Sequence, residues 1–450
     1  MGALAVAFQK AGWKVTGSDK GFYPPVSTHL SEAGVAYYPG WHVEKMTAAG
    51  DPDLVVVGNV AGSQNPEFLY VKEKHIPYGS YPEIIAQHLV KPNSIVCAGT
   101  YGKTTSSGLM TWILKENGFN PSYMFGGISL NNIDAAHISD SDWSILEGDE
   151  YKTSGWDMHP KFSHYSATHL LLTSVVWDHA DVYPTEEAYQ QAFKQLVNSL
   201  PSDGLLVASE KVQSEVIATA QCKVMSYGQK ESNDYRYADV RQTKNELSFV
   251  ITHQDAIYPI SLHVLGEYMA DNITGCFALA HTIGLQSNNI IASIQSFTGL
   301  RRRLEKRCAG PVAVFDDIAH SPSKAVAVLK SLRDITSGKL IAIFEPNTGN
   351  RQPEAGPGYD HAFAHADTVI IPKLTKLKYD KTKQPPLGGD ELARIIQKTH
   401  KDVRYIDEDE ILVNTVTDLA TPGDIIVFLG SHSFRGMIDE VCERLTSLRP

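Results

Sequence analysis

Cysteine is scarce in this chain: 450 residues hold five, Cys97, Cys222, Cys276, Cys308 and Cys442, odd in number and without C-x-x-C spacing. That pattern excludes a disulfide frame and a cysteine zinc site, and it fits thiols kept reduced in a cytoplasm. Long apolar runs are missing too. No stretch approaches the roughly 20 residues of a membrane helix, and the opening residues do not form a charged-then-apolar signal segment. An excess of positive charge is also absent, with 40 Lys and Arg against 51 Asp and Glu and a net charge of −11. Non-specific nucleic-acid binding and attachment to an anionic membrane surface are therefore not expected. There are no internal repeats and no low-complexity tracts. What remains is 42% hydrophobic and 20% charged, the composition of a folded protein whose length calls for roughly two to four domains.

The most informative stretch is Ser94-Ile95-Val96-Cys97-Ala98-Gly99-Thr100-Tyr101-Gly102-Lys103-Thr104-Thr105. An apolar, β-branched run stops at a glycine, a second glycine precedes Lys-Thr-Thr, and a helical pattern (Leu109, Met110, Ile113, Leu114) follows. Strand, tight turn and helix N-terminus together form a phosphate-binding loop. Backbone N–H groups of Gly99, Thr100, Gly102 and Thr105 can close around phosphate oxygens. Lys103 can neutralise the outer phosphates and Thr104 can reach Mg²⁺. Cys97 stands where the longer G-x-x-x-x-G-K-[ST] pattern has its first glycine.

Around this loop the chain alternates short apolar strands with helical stretches, which predicts an α/β protein of three consecutive domains. The first, 1–91, places strands at 14–17 and 54–58 and helices at 28–33, 66–74 and 82–89. It opens on a helical pattern, whereas a doubly wound nucleotide domain starts with a strand and a glycine-rich turn. The natural start is thus expected about 15–20 residues upstream. The second, 92–308, restarts at the phosphate loop, with strands at 143–147 and 169–176 and a helix at 186–200. A small antiparallel patch follows at 235–239, 246–251 and 256–263, then helices at 269–283 and 289–297. The third, 309–450, is again an open parallel sheet, with strands at 312–315, 339–344, 368–371 and 425–429. Its Gly- and Pro-rich loop at 345–359 is the expected mobile segment.

Several other groups could carry chemistry. Glu147-Gly148-Asp149-Glu150 puts three acids directly after a buried strand, either as a metal ligand set or as an ordinary acidic turn. Asp178-His179-Ala180-Asp181 gathers hard oxygens and an imidazole at another strand end. Arg301-Arg302-Arg303 is either a phosphate contact or a solvated basic turn. Asp316-Asp317-Ile318-Ala319-His320-Ser321-Pro322 follows a strand and opens a helix, as an active group or a simple N-cap.

Taken in order, GTYGKTT (99–105), EGDEY (147–151), DHAD (178–181), GEYMADN (266–272), FTGLRRRLEKR (297–307) and DDIAHSP (316–322) resemble the Mur ligase family of ATP-dependent amide ligases over essentially the whole chain. The stretches GSDKGFYPPVST (17–28), EGDEYKTSGWDMHPKFSHY (147–165) and RRRLE (301–305) point to the branch that recycles murein tripeptide. The resemblance implies an N-terminal Rossmann-like domain for UDP, a central P-loop ATPase-like domain for ATP and Mg²⁺, and a C-terminal Rossmann-like domain that closes over the nucleotide. It implies UDP-N-acetylmuramate as one substrate and L-alanyl-γ-D-glutamyl-meso-diaminopimelate as the other. L-alanine is the alternative acceptor, and a nucleotide-binding relative without turnover is the other alternative. Residue by residue, Lys103 would bridge the β- and γ-phosphates, while Thr104, Glu147 and His179 would hold Mg²⁺. Asn272, Arg303, Asp317 and His320 would meet ATP, and Ser18, Asp19 and Asn59 the UDP moiety. Lys103, Glu147, His179 and Arg303 would form the catalytic set. The chain departs from the family pattern at Tyr101, at Tyr268-Met269, at Ser174 and at Glu345-Pro346-Asn347-Thr348.

Overall fold

A computed structural model of the chain describes residues 1–59, 61–178, 182–308, 310–376 and 385–447. It divides into two compact units. One comprises Met1–Ala238, Val250–Ile260 and Asp271–Thr298, and the other comprises Asp239–Phe249, Ser261–Ala270 and Gly299–Pro450.

The first unit is built on the strand Asn93–Ala98, at the middle of a parallel stack. It pairs with Trp143–Gly148 on one side and His169–Leu172 on the other, both parallel. Ser122–Met124 extends the stack beyond Trp143–Gly148, and Leu205–Ser209 and Lys223–Gly228 extend it beyond His169–Leu172. Five of the six residues of Asn93–Ala98 are buried, as a strand covered on both faces requires. Tyr235–Gln242, Leu247–His253 and Ala256–Leu262 complete that end of the sheet. Residues 243–246 and 254–255 that join them are too short for a parallel crossover, so these three strands are antiparallel.

Residues 1–91 form two separate two-stranded parallel sheets, Thr16–Asp19 with Ala36–Pro39 and Val55–Val57 with Tyr78–Ser80. Their helices share the central core. Leu4, Ala7 and Phe8 of helix Gly2–Lys10 and Ile84 and Ile85 of helix Tyr81–His88 lie in one cluster with Val96, Leu146 and Leu170. Helix Tyr81–His88 begins where Ser80 and Glu83 exchange hydrogen bonds, Glu83 N–H to Ser80 Oγ at 3.4 Å and Ser80 N–H to Glu83 Oε2 at 2.7 Å. Such a reciprocal cap fixes the first turn.

The second unit carries a six-stranded sheet in the order Glu305–Cys308, Ala313–Asp317, Ile425–Gly430, Leu340–Glu345, Thr368–Pro372, Val403–Ile406. Only the first pair is antiparallel. Alternation along Leu340–Glu345 serves both faces: Leu340, Ala342 and Phe344 pack into one cluster, Ile341 and Ile343 into the other.

One expected boundary changes, and the loop expected to be mobile carries local structure. The strand expected over 169–176 ends at Leu172, because from Thr173 onward the polar groups turn toward the glycine loop. The loop at 345–359 carries two 3-10 turns, Gly349–Arg351 and Pro353–Tyr359. Arg351 and Tyr359 are buried there. The Arg351 guanidinium donates to Leu387 O and Thr375 O at 3.1 and 2.7 Å, and Tyr359 Oη donates to Asn350 O at 2.6 Å. These bonds hold a segment that its glycines and prolines alone would leave loose.

Candidate active site

Gly99 follows the central strand with φ +133°, and Gly102 caps helix Lys103–Glu116 with φ +83°. Both conformations suit glycine, and both positions are closed to a side chain. A Cβ on Gly99 would lie 2.3 Å from Thr173 Oγ1 and 2.8 Å from the Ser174 backbone, and one on Gly102 would lie 2.3 Å from Asn272 Oδ1. The turn is held by the end of the neighbouring strand. Thr100 N–H donates to Ser174 O at 3.0 Å, Tyr101 N–H to Ser174 Oγ at 3.1 Å, and Thr173 Oγ1 donates to Ala98 O at 3.1 Å and to Tyr101 O. Thr100 Oγ1 donates to Val176 O at 2.8 Å and meets the buried Tyr189 hydroxyl at 2.9 Å.

The acids at the end of Trp143–Gly148 reach the loop's polar side chains. Thr104 Oγ1 donates to Glu147 Oε1 at 2.7 Å, and Gly126 N–H donates to Glu147 Oε2 at 2.6 Å. Lys103 Nζ lies 3.1 and 3.0 Å from the two oxygens of Glu150, a fully buried carboxylate. Lys161 Nζ meets Asp149 Oδ2 at 2.5 Å. Burial works against the Lys103 charge, but Glu150, Asp149 and Glu147 outweigh it and lift the ammonium above its ordinary range. Burial likewise opposes ionisation of Asp149, and Lys161 and Lys103 overcome it, holding the carboxyl below its ordinary value. Behind the turn, burial pushes the Cys97 thiol up to about 12, so that cysteine is packing and not a nucleophile.

Gly99, Thr100, Gly102, Lys103, Thr104, Thr105, Glu147 and Asn272 thus belong to one construction in the first unit. His179 lies outside the described residues. Among the described residues no group of three His, Cys, Asp or Glu side chains is gathered to hold a metal. Thr104 and Glu147 nonetheless bring hard oxygens together, and Mg²⁺ takes only one or two protein oxygens beside phosphate and water. The donor chemistry fits that ion.

Arg303, Asp317 and His320 lie in the second unit. Asp317 accepts Leu304 N–H at 2.7 Å and Ala319 N–H at 2.8 Å. Its burial pushes the carboxyl up, against the Arg303 charge. His320 Nδ1 lies 2.7 Å from Ile318 O, and its Nε2 lies 3.3 Å from Lys324 Nζ. Asp317 closes the strand Ala313–Asp317, at the carboxyl edge where open parallel sheets bind ligands.

Ser18 and Asp19 end the strand Thr16–Asp19 and Asn59 follows Val55–Val57. Asn59 Oδ1 is buried and finds no donor among the described residues. Ser18 Oγ donates to Glu67 Oε2 at 2.5 Å, and the same buried carboxylate takes Tyr38 Oη at 2.9 Å and His42 N–H at 2.7 Å. Sequence reasoning missed Glu67 and gave Glu150 no role of its own. No local pattern marks Glu67, whose partners come from other elements, and Glu150 was visible only as one acid of a run.

A glycine turn opening a helix, with Lys and Thr each set on a carboxylate from the next strand, is the construction of a nucleotide-phosphate site. Family models agree with that class: "Mur ligase family, catalytic domain" matches residues 1–91, "Mur ligase middle domain" 97–280 and "Mur ligase, glutamate ligase domain" 302–432. The chain is 30% identical to the UDP-N-acetylmuramate–L-alanyl-γ-D-glutamyl-meso-2,6-diaminoheptandioate ligase of Haemophilus influenzae, over 99% of this chain and 96% of that one. It is also 30% identical to the UDP-N-acetylmuramate–L-alanine ligase of Mesorhizobium japonicum, over 96% of this chain and 92% of that one. The crystal structure of a murein peptide ligase from Psychrobacter arcticus shares the fold, with a TM-score of 0.73 at 23% identity, covering 100% of this chain and 97% of that one. The chain belongs to the Mur ligase family, whose members are ATP-dependent ligases with a three-domain α/β fold.

Proposed function

We propose that this chain joins UDP-N-acetylmuramate to L-alanyl-γ-D-glutamyl-meso-diaminopimelate in the cytoplasm, using ATP and Mg²⁺. The observation that carries the reading is the pairing of Lys103 with Glu150 and of Thr104 with Glu147 at the mouth of the glycine turn. The full-length likeness to the tripeptide ligase of Haemophilus influenzae supports this acceptor. In this reading residues 1–91 hold the UDP part, 92–308 the nucleotide and metal, and 309–450 the closing domain.

A carboxylate is a poor electrophile. Transfer of the γ-phosphoryl group forms a carboxylate O–P bond as the P–O bond to ADP breaks, and the acyl phosphate now has a leaving group. The acceptor amine then attacks the acyl carbon, forming the amide as inorganic phosphate departs. The protein's contribution is to position two anions and offset their repulsion. Lys103 supplies charge to the β- and γ-phosphates, and Gly99, Thr100, Gly102 and Thr105 supply the cradle. Thr104, Glu147 and His179 would hold Mg²⁺, which when bound neutralises charge on the phosphates. The family resemblance assigns Asn272, Arg303, Asp317 and His320 to ATP as well. Ser18, Asp19 and Asn59 take the UDP moiety, and Asn59 Oδ1, without a donor among the described residues, would accept from the imide N–H of a uracil.

The likeness to the L-alanine ligase of Mesorhizobium japonicum favours a second reading with L-alanine as acceptor. Phosphate release from ATP, measured with UDP-N-acetylmuramate and either acceptor, separates the two. Turnover is expected with the tripeptide and much less with L-alanine. The reverse preference selects the second reading, and release that needs no acceptor sinks both.

A further inference from the structure

The lysine of the glycine turn already has a partner, and that partner cannot move away easily. Both Glu150 oxygens lie within 3.1 Å of Lys103 Nζ. The carboxylate is fully buried, and its own main chain is held: the buried Tyr183 hydroxyl donates to Glu150 O at 2.5 Å. Tyr183 packs edge-on against Tyr189, ring centroids 5.1 Å apart. Tyr189 in turn meets Thr100 Oγ1 at 2.9 Å. One chain of contacts therefore runs from the loop, through two buried tyrosines, to the acid that grips the loop's lysine.

An anion so placed acts in two opposed ways on a triphosphate arriving at the same ammonium. It fixes where the ammonium sits before the nucleotide comes, which favours the reaction geometry. It also competes for that ammonium and repels the phosphates, which weakens binding. We propose that Glu150 is a positioning residue that parks Lys103 at the mouth of the glycine turn, lowering nucleotide affinity while setting the lysine for phosphoryl transfer. The proposal rests on the nucleotide reading of the loop given above.

The distinguishing consequence is a split between binding and turnover. With the full-length protein and ADP in EDTA, titration calorimetry is expected to show Glu150→Gln binding about tenfold more tightly than the unaltered chain. Its kcat is expected to fall about a hundredfold. A residue that only supports the fold would weaken both together, so weakened or unchanged ADP affinity overturns the proposal, and so does an unchanged kcat. Glu150→Asp is the second variant, in case the glutamine chain folds poorly. It keeps the charge but withdraws it by one methylene, so kcat should drop without tighter ADP binding, and a parental kcat in this variant overturns the proposal equally. Failure of the unaltered protein to bind ADP would instead overturn the nucleotide reading, and this inference with it.

Discussion

Glu147 and the pair Asp316–Asp317 occupy matching places, since each lies at the carboxyl end of a buried strand with a parallel neighbour and precedes the groups expected to act. Their partners differ. At the first strand end the acids face side chains of the glycine turn, Glu147 on Thr104 and Glu150 on Lys103. At the second, Asp316 holds the fold through arginines, and main-chain groups fix Asp317 in place. Asp316 takes Arg302 Nε and Arg307 Nη1, both at 3.2 Å, and Asp317 takes two backbone N–H groups. Arg302 goes on to the carbonyls of Ser431 and His432 at 3.1 and 2.8 Å and to Gly430 O. Acids after a strand are thus one signal with two meanings, and the partner decides which.

Substitutions can break or sharpen that contrast. The largest effect is expected for Lys103→Ala, which should reduce turnover about a thousandfold or more. It also leaves Glu150 buried without its cation, so urea unfolding should show a loss of roughly 3 kcal/mol. Adding Glu150→Gln should restore most of that stability and none of the activity. A single variant with parental turnover would remove the loop from the chemistry.

Next, Glu147→Gln should lower turnover by about a hundredfold and raise the Mg²⁺ concentration needed for half-maximal rate. An unchanged Mg²⁺ dependence would return Glu147 to the structural class of Asp316.

On the other side of the comparison, Arg302→Ala should destabilise the protein by roughly 3 kcal/mol, because Asp316 is buried and three carbonyls lose a donor. Arg302→Lys should recover little of this, since an ammonium cannot reproduce the guanidinium fork. Parental stability in either variant would mean that the Arg302–Asp316 pair does not hold the second strand end.

The smallest effect concerns Asp424, a buried acid at the start of Ile425–Gly430. Burial opposes its ionisation, but Thr421 N–H, Lys339 N–H and the Thr421 hydroxyl hold the carboxyl below its ordinary value. A depressed folded-state value stabilises the protein above the unfolded value near 4, and the contribution fades as pH falls through the folded one. Asp424→Asn should therefore flatten the acid limb of the unfolding free energy plotted against pH. An unaltered limb would contradict that accounting.

The parts legible beforehand are those written in contiguous residues. The loop Gly99–Thr105 announced itself because strand, turn and helix start are consecutive, and helices such as Glu186–Asn198 followed from their apolar spacing. Strands Leu205–Ser209 and Lys223–Gly228 were missed. The first is buried at every position and so shows no alternation, and the second runs from exposed to buried along its length and shows none either. The pairing of Lys103 with Glu150 was invisible for a different reason, since 47 residues separate them and a parallel crossover brings them together. Ser174 stood out in the sequence only as a departure from the family pattern, yet its hydroxyl accepts the Tyr101 N–H.

The grip of Thr173 and Ser174 on the turn has a practical corollary. The loop's shape is stored partly in a strand end that follows it by some seventy residues, so the two segments form a single cassette. A graft of residues 99–105 into another scaffold, or a library aimed at a different nucleotide base, should carry 173–174 along, because the transplanted glycines would otherwise lose the mould that sets their curvature.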